Sequence, residues 1–137
     1  MTVQGDASGF AQHIQVGPYE FRVDEPREGG GTATGPSPYE LLLAALGACT
    51  SMTIALYARR KHWPLRRVSV QLMHAKVHAT DCRDCLTQEG FLDRIEKRVS
   101  LEGNLTPEQQ ARLLEIGEKC PVHRTLLSEV VIHSERA

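Results

Sequence analysis

The 137-residue chain predicts an α+β fold in which a long, buried central helix packs on antiparallel sheet, in the order β-β-α-β-β-α-(α)-β. Three features lead there. Segments 10–16 (FAQHIQV) and 19–23 (YEFRV) alternate like strands and are joined by Gly17-Pro18, a turn signal. The run from Leu41 to Leu56 is apolar on nearly every helical face. Segments 66–79 and 91–103 are strand-length and separated by a polar loop, TDCRDCLTQEG, that closes a long hairpin.

Taken in order, the first hairpin leads into DEPREGGGTATGP at 24–36, a loop whose three consecutive glycines either admit a close backbone approach or supply flexibility. Ser37 is then a good N-cap, Pro38 suits the first helical position, and Glu40 completes a capping box. The helix runs to about Lys61, where Arg59, Arg60 and Lys61 suit its negative end and Pro64 stops continuation. Because this helix is greasy all round, every face needs cover. One small sheet in so short a chain does not suffice, so a second copy of the chain is expected to supply part of it.

In the next strand Val68, Val70 and Leu72 alternate with Ser69 and Gln71. In the one after, Ile95, Val99 and Leu101 alternate with Arg94, Glu96, Arg98 and Ser100, giving a strongly charged outer face. Thr106-Pro107-Glu108-Gln109 opens a second helix with the same cap logic. Its apolar positions are Ala111, Leu114 and Ile116, widened by Leu113, and it ends near Lys119. Pro121 begins a short helical segment, and SEVVIH (128–133) reads as a final strand. No repeat or linker interrupts residues 1–137, which read as one domain.

Composition narrows the function. Hydrophobic residues make up 41% and charged residues 24%, with a net charge of −1. There is no basic stripe and a single Trp, so nucleic acid is not an expected partner. The opening MTVQGDASGFAQHIQ has no basic segment followed by an apolar one, so no secretory signal is expected. The 16 residues from Leu41 to Leu56 include Thr50, Ser51 and Thr53 and fall short of the roughly 20 that a membrane span needs. Four cysteines without a secretory signal point to the cytoplasm, where thiols are more often reactive or metal-bound than structural disulfides.

Cys120 directly precedes Pro121, which makes it the N-cap of a new helical turn. Free N–H groups and partial positive charge there favour a thiolate, and His123 and Arg124 lie within the next turn. The plainer reading is a half-buried cysteine at a helix break. Cys49 sits within the apolar helix, where free cysteines are common and usually inert. Small Gly47 and Ala48 would admit a close neighbour, and polar Thr50, Ser51 and Thr53 hint at a pocket or a helix crossing.

GPSPYELLLAALGACTSM, followed some seventy residues later by KCPVHRTL, resembles the OsmC/Ohr family of organic-hydroperoxide reductases. The resemblance spans essentially the whole chain, and DCRDC with CPVHRTL is closer to the OsmC-like branch. It implies an intertwined α+β homodimer with active sites at the interface. It also implies that Cys49 is the peroxidatic thiol and Cys120 the resolving thiol. A Cys49 sulfenic acid would condense with Cys120, and an external dithiol, such as a lipoyl group on a carrier protein, would reduce the disulfide. No cofactor is implied. The family also uses a glutamate and an arginine to activate the thiol. In the Ohr pattern the glutamate directly follows the proline, a position held here by Tyr39; Glu40 comes one step later and doubles as the capping-box residue. Arg22 in the second strand and Arg124 beside the second thiol are the arginine candidates. Without a clear arginine, the alternative is an apolar small-molecule binder on the same fold.

Cys82 and Cys85 form a C-x-x-C in the hairpin loop, with His74 and His78 on one face of the strand before it. They are weak candidates for a zinc site or a local disulfide, and two thiols without a role are the plainer expectation. A zinc ribbon needs a second C-x-x-C, which the sequence lacks. His13, His62 and His133 read as surface residues.

Overall fold

A computed structural model describes residues 1–82, 86–87 and 89–136, which form two compact units, Met1–Ala44 and the remainder from Ala45. The first unit holds a three-stranded antiparallel sheet in the order β1 (Thr2–Gly5), β2 (Gln12–Val16), β3 (Tyr19–Val23). The β2–β3 hairpin is the predicted one, turning at Gly17 with φ +58°. β1 was not anticipated: TVQG is short and exposed at every residue, and its strand state comes from pairing with β2.

The loop after β3 is built on Asp24. Its buried carboxylate accepts the N–H and hydroxyl of Thr32 at 3.0 and 2.6 Å, those of Thr34 at 3.1 and 3.0 Å, and the Glu25 N–H at 2.8 Å. Bonding by the Thr32 hydroxyl and the Thr34 N–H, with the other threonine donors, outweighs burial and holds this carboxyl far below the usual range. Of the three consecutive glycines, Gly31 serves close approach: a Cβ there would lie 1.9 Å from the Glu25 carbonyl oxygen.

Helix α1 (Pro38–Arg60) starts on the expected capping box: the Ser37 N–H donates to Glu40 Oε2 at 2.7 Å and the Glu40 N–H to Ser37 Oγ at 3.3 Å. It is long and apolar enough to cross a membrane by length and composition. Yet its buried residues, Leu46, Gly47, Thr50, Ile54 and Ala58, trace the stripe of a helix seated on a core. Its opposite face is bare in a single chain, with Met52 70% exposed and Ala45, Ala48 and Leu56 also open.

The second unit adds the long hairpin of β4 (Leu65–His78) and β5 (Phe91–Gly103), in register through Val68↔Leu101, Val70↔Val99 and Leu72↔Lys97. Helix α2 (Pro107–Gly117) follows its own capping box, Thr106 with Gln109, and α3 (Pro121–Leu126) follows after a short link. The core joins Ile54 and Ala58 of α1 to Leu113 of α2, flanked by Tyr57, Trp63, Leu65, Val68, Val99, Leu101 and Leu105. Leu113 and Gly117 are the buried positions of α2, whereas Leu114 is 42% exposed. The α1 crossings use small residues. A Cβ on Gly47 would meet Leu72 Cδ1 at 2.8 Å, and one on Gly117 would meet Ile54 Cδ1 at 3.0 Å and Thr50 Cγ2 at 3.4 Å.

The α+β order therefore holds with two differences: β1 is added, and the expected strand at 128–133 is not formed. Val130, Val131 and Ile132 have strand-like preference, but they lie exposed and unpaired with any strand among the described residues. Preference alone does not make a strand without an edge to bond to.

Candidate active site

The end of α2 closes on α1 at Thr50, through Gly117, and this approach brings the two distant cysteines together. Three residues after Gly117, Cys120 caps α3 with extended backbone (ψ 143°). Its sulfur, fully buried, accepts the His123 N–H at 3.3 Å and lies 3.5 Å from Thr50 Oγ1. The half-buried Cys49 thiol, one residue before Thr50, is within hydrogen-bonding reach of the same sulfur. Both thiols are free, and both belong to the second unit.

Burial pushes the Cys120 thiol up. Hydrogen bonds from the Thr50 hydroxyl, the His123 N–H and the Cys49 thiol, together with the charge of Lys97, outweigh that and hold it below its ordinary value. The two sulfurs face each other, Cys120 buried among hydrogen-bond donors and Cys49 the one that reaches solvent.

Lys97 was not singled out by the sequence pattern. It occupies the inward phase of β5 with Ile95, Val99 and Leu101, and its side chain is only 9% exposed. Its Nζ pairs with Glu118 Oε1 at 3.1 Å and lies 3.5 Å from His123 Nδ1, which is itself 3.5 Å from Glu118 Oε2. His123 Nδ1 accepts from Lys97 in one tautomer and donates to Glu118 in the other. A lysine among inward apolar residues was the available signal, because lysines are rarely buried unpaired.

The remaining candidates lie elsewhere. Glu40 is exposed in the first unit, and the N–H and hydroxyl of Ser37 hold its carboxyl below the usual value. Arg22 is exposed on β3 of that unit, opposite His13, beside an open groove of about 620 Å³ lined also by Gln4, Asp6 and Gln12. Arg124 is exposed on α3, its backbone N–H donating to the Cys120 carbonyl at 3.1 Å. The cation acting on Cys120 is Lys97 rather than Arg124, and His123 contributes its backbone N–H. This follows from α3 geometry: the residue three after the N-cap points its N–H at the sulfur, while the next side chain turns outward.

For the weak metal candidates, His74 Nε2 pairs with Asp93 Oδ1 at 2.8 Å and His78 Nδ1 lies 2.8 Å from Thr80 Oγ1. Cys82 ends the 3-10 turn Ala79–Asp81, its N–H donating to the Ala79 carbonyl. Cys85 lies outside the described residues, as does any reading of the C-x-x-C that depends on it. Among the described residues no group of three or more His, Cys, Asp or Glu side chains converges to hold a metal.

Similar folds recur among solved structures. An OsmC-like protein from Mycoplasma pneumoniae shares 19% identity at a TM-score of 0.73, covering 92% of this chain and 84% of that one. An organic hydroperoxide resistance protein, OsmC, from Legionella pneumophila shares 20% at 0.65, over 91% and 85%. One from Bacillus subtilis shares 21% at 0.61, over 90% and 86%. No curated protein matches the sequence. The family model for OsmC-like proteins matches residues 29–135, a span that contains both cysteine motifs, and the chain belongs to the OsmC family.

Proposed function

We propose that this protein is a cysteine-based peroxidase that reduces organic hydroperoxides to alcohols, acting as a cytoplasmic homodimer and regenerated by an external dithiol. The observation that carries the reading is the meeting of Cys49 and Cys120, the first partly exposed and the second buried among hydrogen-bond donors that hold its thiol below the ordinary value. Family membership and the likeness to hydroperoxide resistance proteins point the same way.

The chemistry divides into three steps. As Cys49 sulfur attacks the terminal peroxide oxygen, Cys120 accepts the Cys49 proton. The O–O bond breaks, and the alkoxide leaves as alcohol after taking a proton from solvent. Cys120 sulfur then attacks the Cys49 sulfenic acid, forming the disulfide and releasing water. A dithiol, such as a lipoyl group on a carrier protein, exchanges with the disulfide and restores both thiols. A second copy of the chain would cover the bare face of α1, where Met52 and Leu56 lie open.

The test is dithiol-dependent consumption of cumene hydroperoxide. Wild type is expected to turn over, and Cys49→Ser to lose at least about a hundredfold in rate. Equal rates in the two proteins would overturn the proposal.

A further inference from the structure

We propose that Lys97, braced by Glu118 and His123, is a positioning residue that makes Cys120 the departing sulfur when the Cys49–Cys120 disulfide is reduced, so that the reductant bonds to Cys49. The inference deepens the peroxidase reading and rests on it for its biological setting.

Two requirements of thiol–disulfide exchange fall on different sulfurs here. Attack needs access, and departure needs a sulfur that is stable as an anion. Cys120 is fully buried, while Cys49 is partly open. The anion-stabilising groups converge on Cys120 from three elements: Thr50 from α1, the His123 N–H from α3, and the Lys97 charge from β5. The titratable groups acting on it are Cys49 and Lys97, and the Glu118 carboxylate and His123 ring pair with Lys97. Lys97 reaches this place because its register partner Leu72 lies beneath Gly47 of α1, two residues before Cys49. Glu118, on the α2–α3 link, partly offsets the charge while orienting it.

The step balances. The reductant thiolate bonds to Cys49 sulfur as the Cys49–Cys120 bond breaks, and the electron pair leaves on Cys120. The second thiol of the reductant, as its thiolate, then attacks the reductant's own sulfur in the mixed disulfide. That closes an oxidised dithiol, and Cys49 leaves as a thiolate and takes a proton.

The disulfide is best made with diamide, so that its formation does not depend on peroxide turnover. Exposure to 2-mercaptoethanol, acid quench and peptide mass mapping should place the mixed disulfide on Cys49. Lys97→Met should slow its formation about three- to tenfold, with Lys97→Arg restoring it. In the reduced Cys49→Ser protein, the Cys120 Cβ resonance followed by NMR should titrate at higher pH in Lys97→Met and at lower pH in Glu118→Gln. A merely structural ion pair would move both variants the same way. An adduct on Cys120, no diamide-induced disulfide between the two cysteines, or same-direction shifts would each overturn the inference. If these results hold while cumene hydroperoxide is not consumed, the peroxidase reading alone fails.

Discussion

Two buried acidic groups, the Asp24 carboxyl and the Cys120 thiol, one in each unit, are held by the same kinds of donor in different arrangements. Asp24 is encircled by the N–H and hydroxyl groups of Thr32 and Thr34 together with the Glu25 N–H. Cys120 is held by one N–H, one hydroxyl, a neighbouring thiol and a distant ammonium. In the first, the donors are fixed by the local loop and fill both oxygens, so the anion is inert and the loop is tied. In the second, the donors come from three elements, α1, β5 and α3, and one of them is itself a nucleophile. A carboxylate saturated by fixed donors is structural; a thiol whose donors include a second sulfur is placed for the chemistry proposed above.

The contrast can be broken most forcefully at the thiols. Cys120→Ser should cut dithiol-dependent hydroperoxide turnover by roughly a hundredfold or more and leave a Cys49 sulfenic acid that dimedone captures. Unchanged turnover with no trapped sulfenic acid would remove the resolving role.

Asp24→Asn should lower the melting temperature at neutral pH without abolishing hydroperoxide turnover, because it removes acceptor capacity from the threonine donors. The pH dependence has a definite sign. The folded carboxyl sits below its unfolded value, so its stabilisation is present above the ordinary carboxylate range, near pH 4, and is lost as pH falls toward the folded value. The gap between wild type and Asp24→Asn should therefore narrow on acidification, as thermal melts across pH would show. A gap that widened toward low pH would contradict the account.

The smallest effect is expected at Thr50→Val, which keeps the shape and removes one hydrogen bond to Cys120. Disulfide formation after a stoichiometric peroxide pulse should slow by about two- to tenfold, the worth of a single such bond. No change would mean that the 3.5 Å Thr50–Cys120 contact does not support the anion.

The same contrast explains what was legible beforehand. Both capping boxes, the β4–β5 hairpin and the N-cap position of Cys120 depend on neighbours in sequence, and local pattern reveals them. Cys49 and Cys120 were paired through the resemblance of their motifs, since nothing local places one beside the other. Lys97 shares the parity of Ile95 and Val99 and went unremarked, and its partner Glu118 comes from another element. Asp24 read as loop, because only the folded chain shows which donors turn toward it. β1 and the unformed strand at 128–133 fail for one reason in opposite directions: a strand exists where an edge accepts it, and β2 accepts TVQG while no described strand accepts VVI.

The central claim is that Cys49 and Cys120 form a redox pair. The direct measurement is peptide mass mapping, under non-reducing conditions, of reduced protein treated with one equivalent of cumene hydroperoxide. The account predicts a Cys49–Cys120 disulfide as the principal product. Cys49 left as a thiol, or carried to sulfinic acid while Cys120 stays reduced, would contradict it.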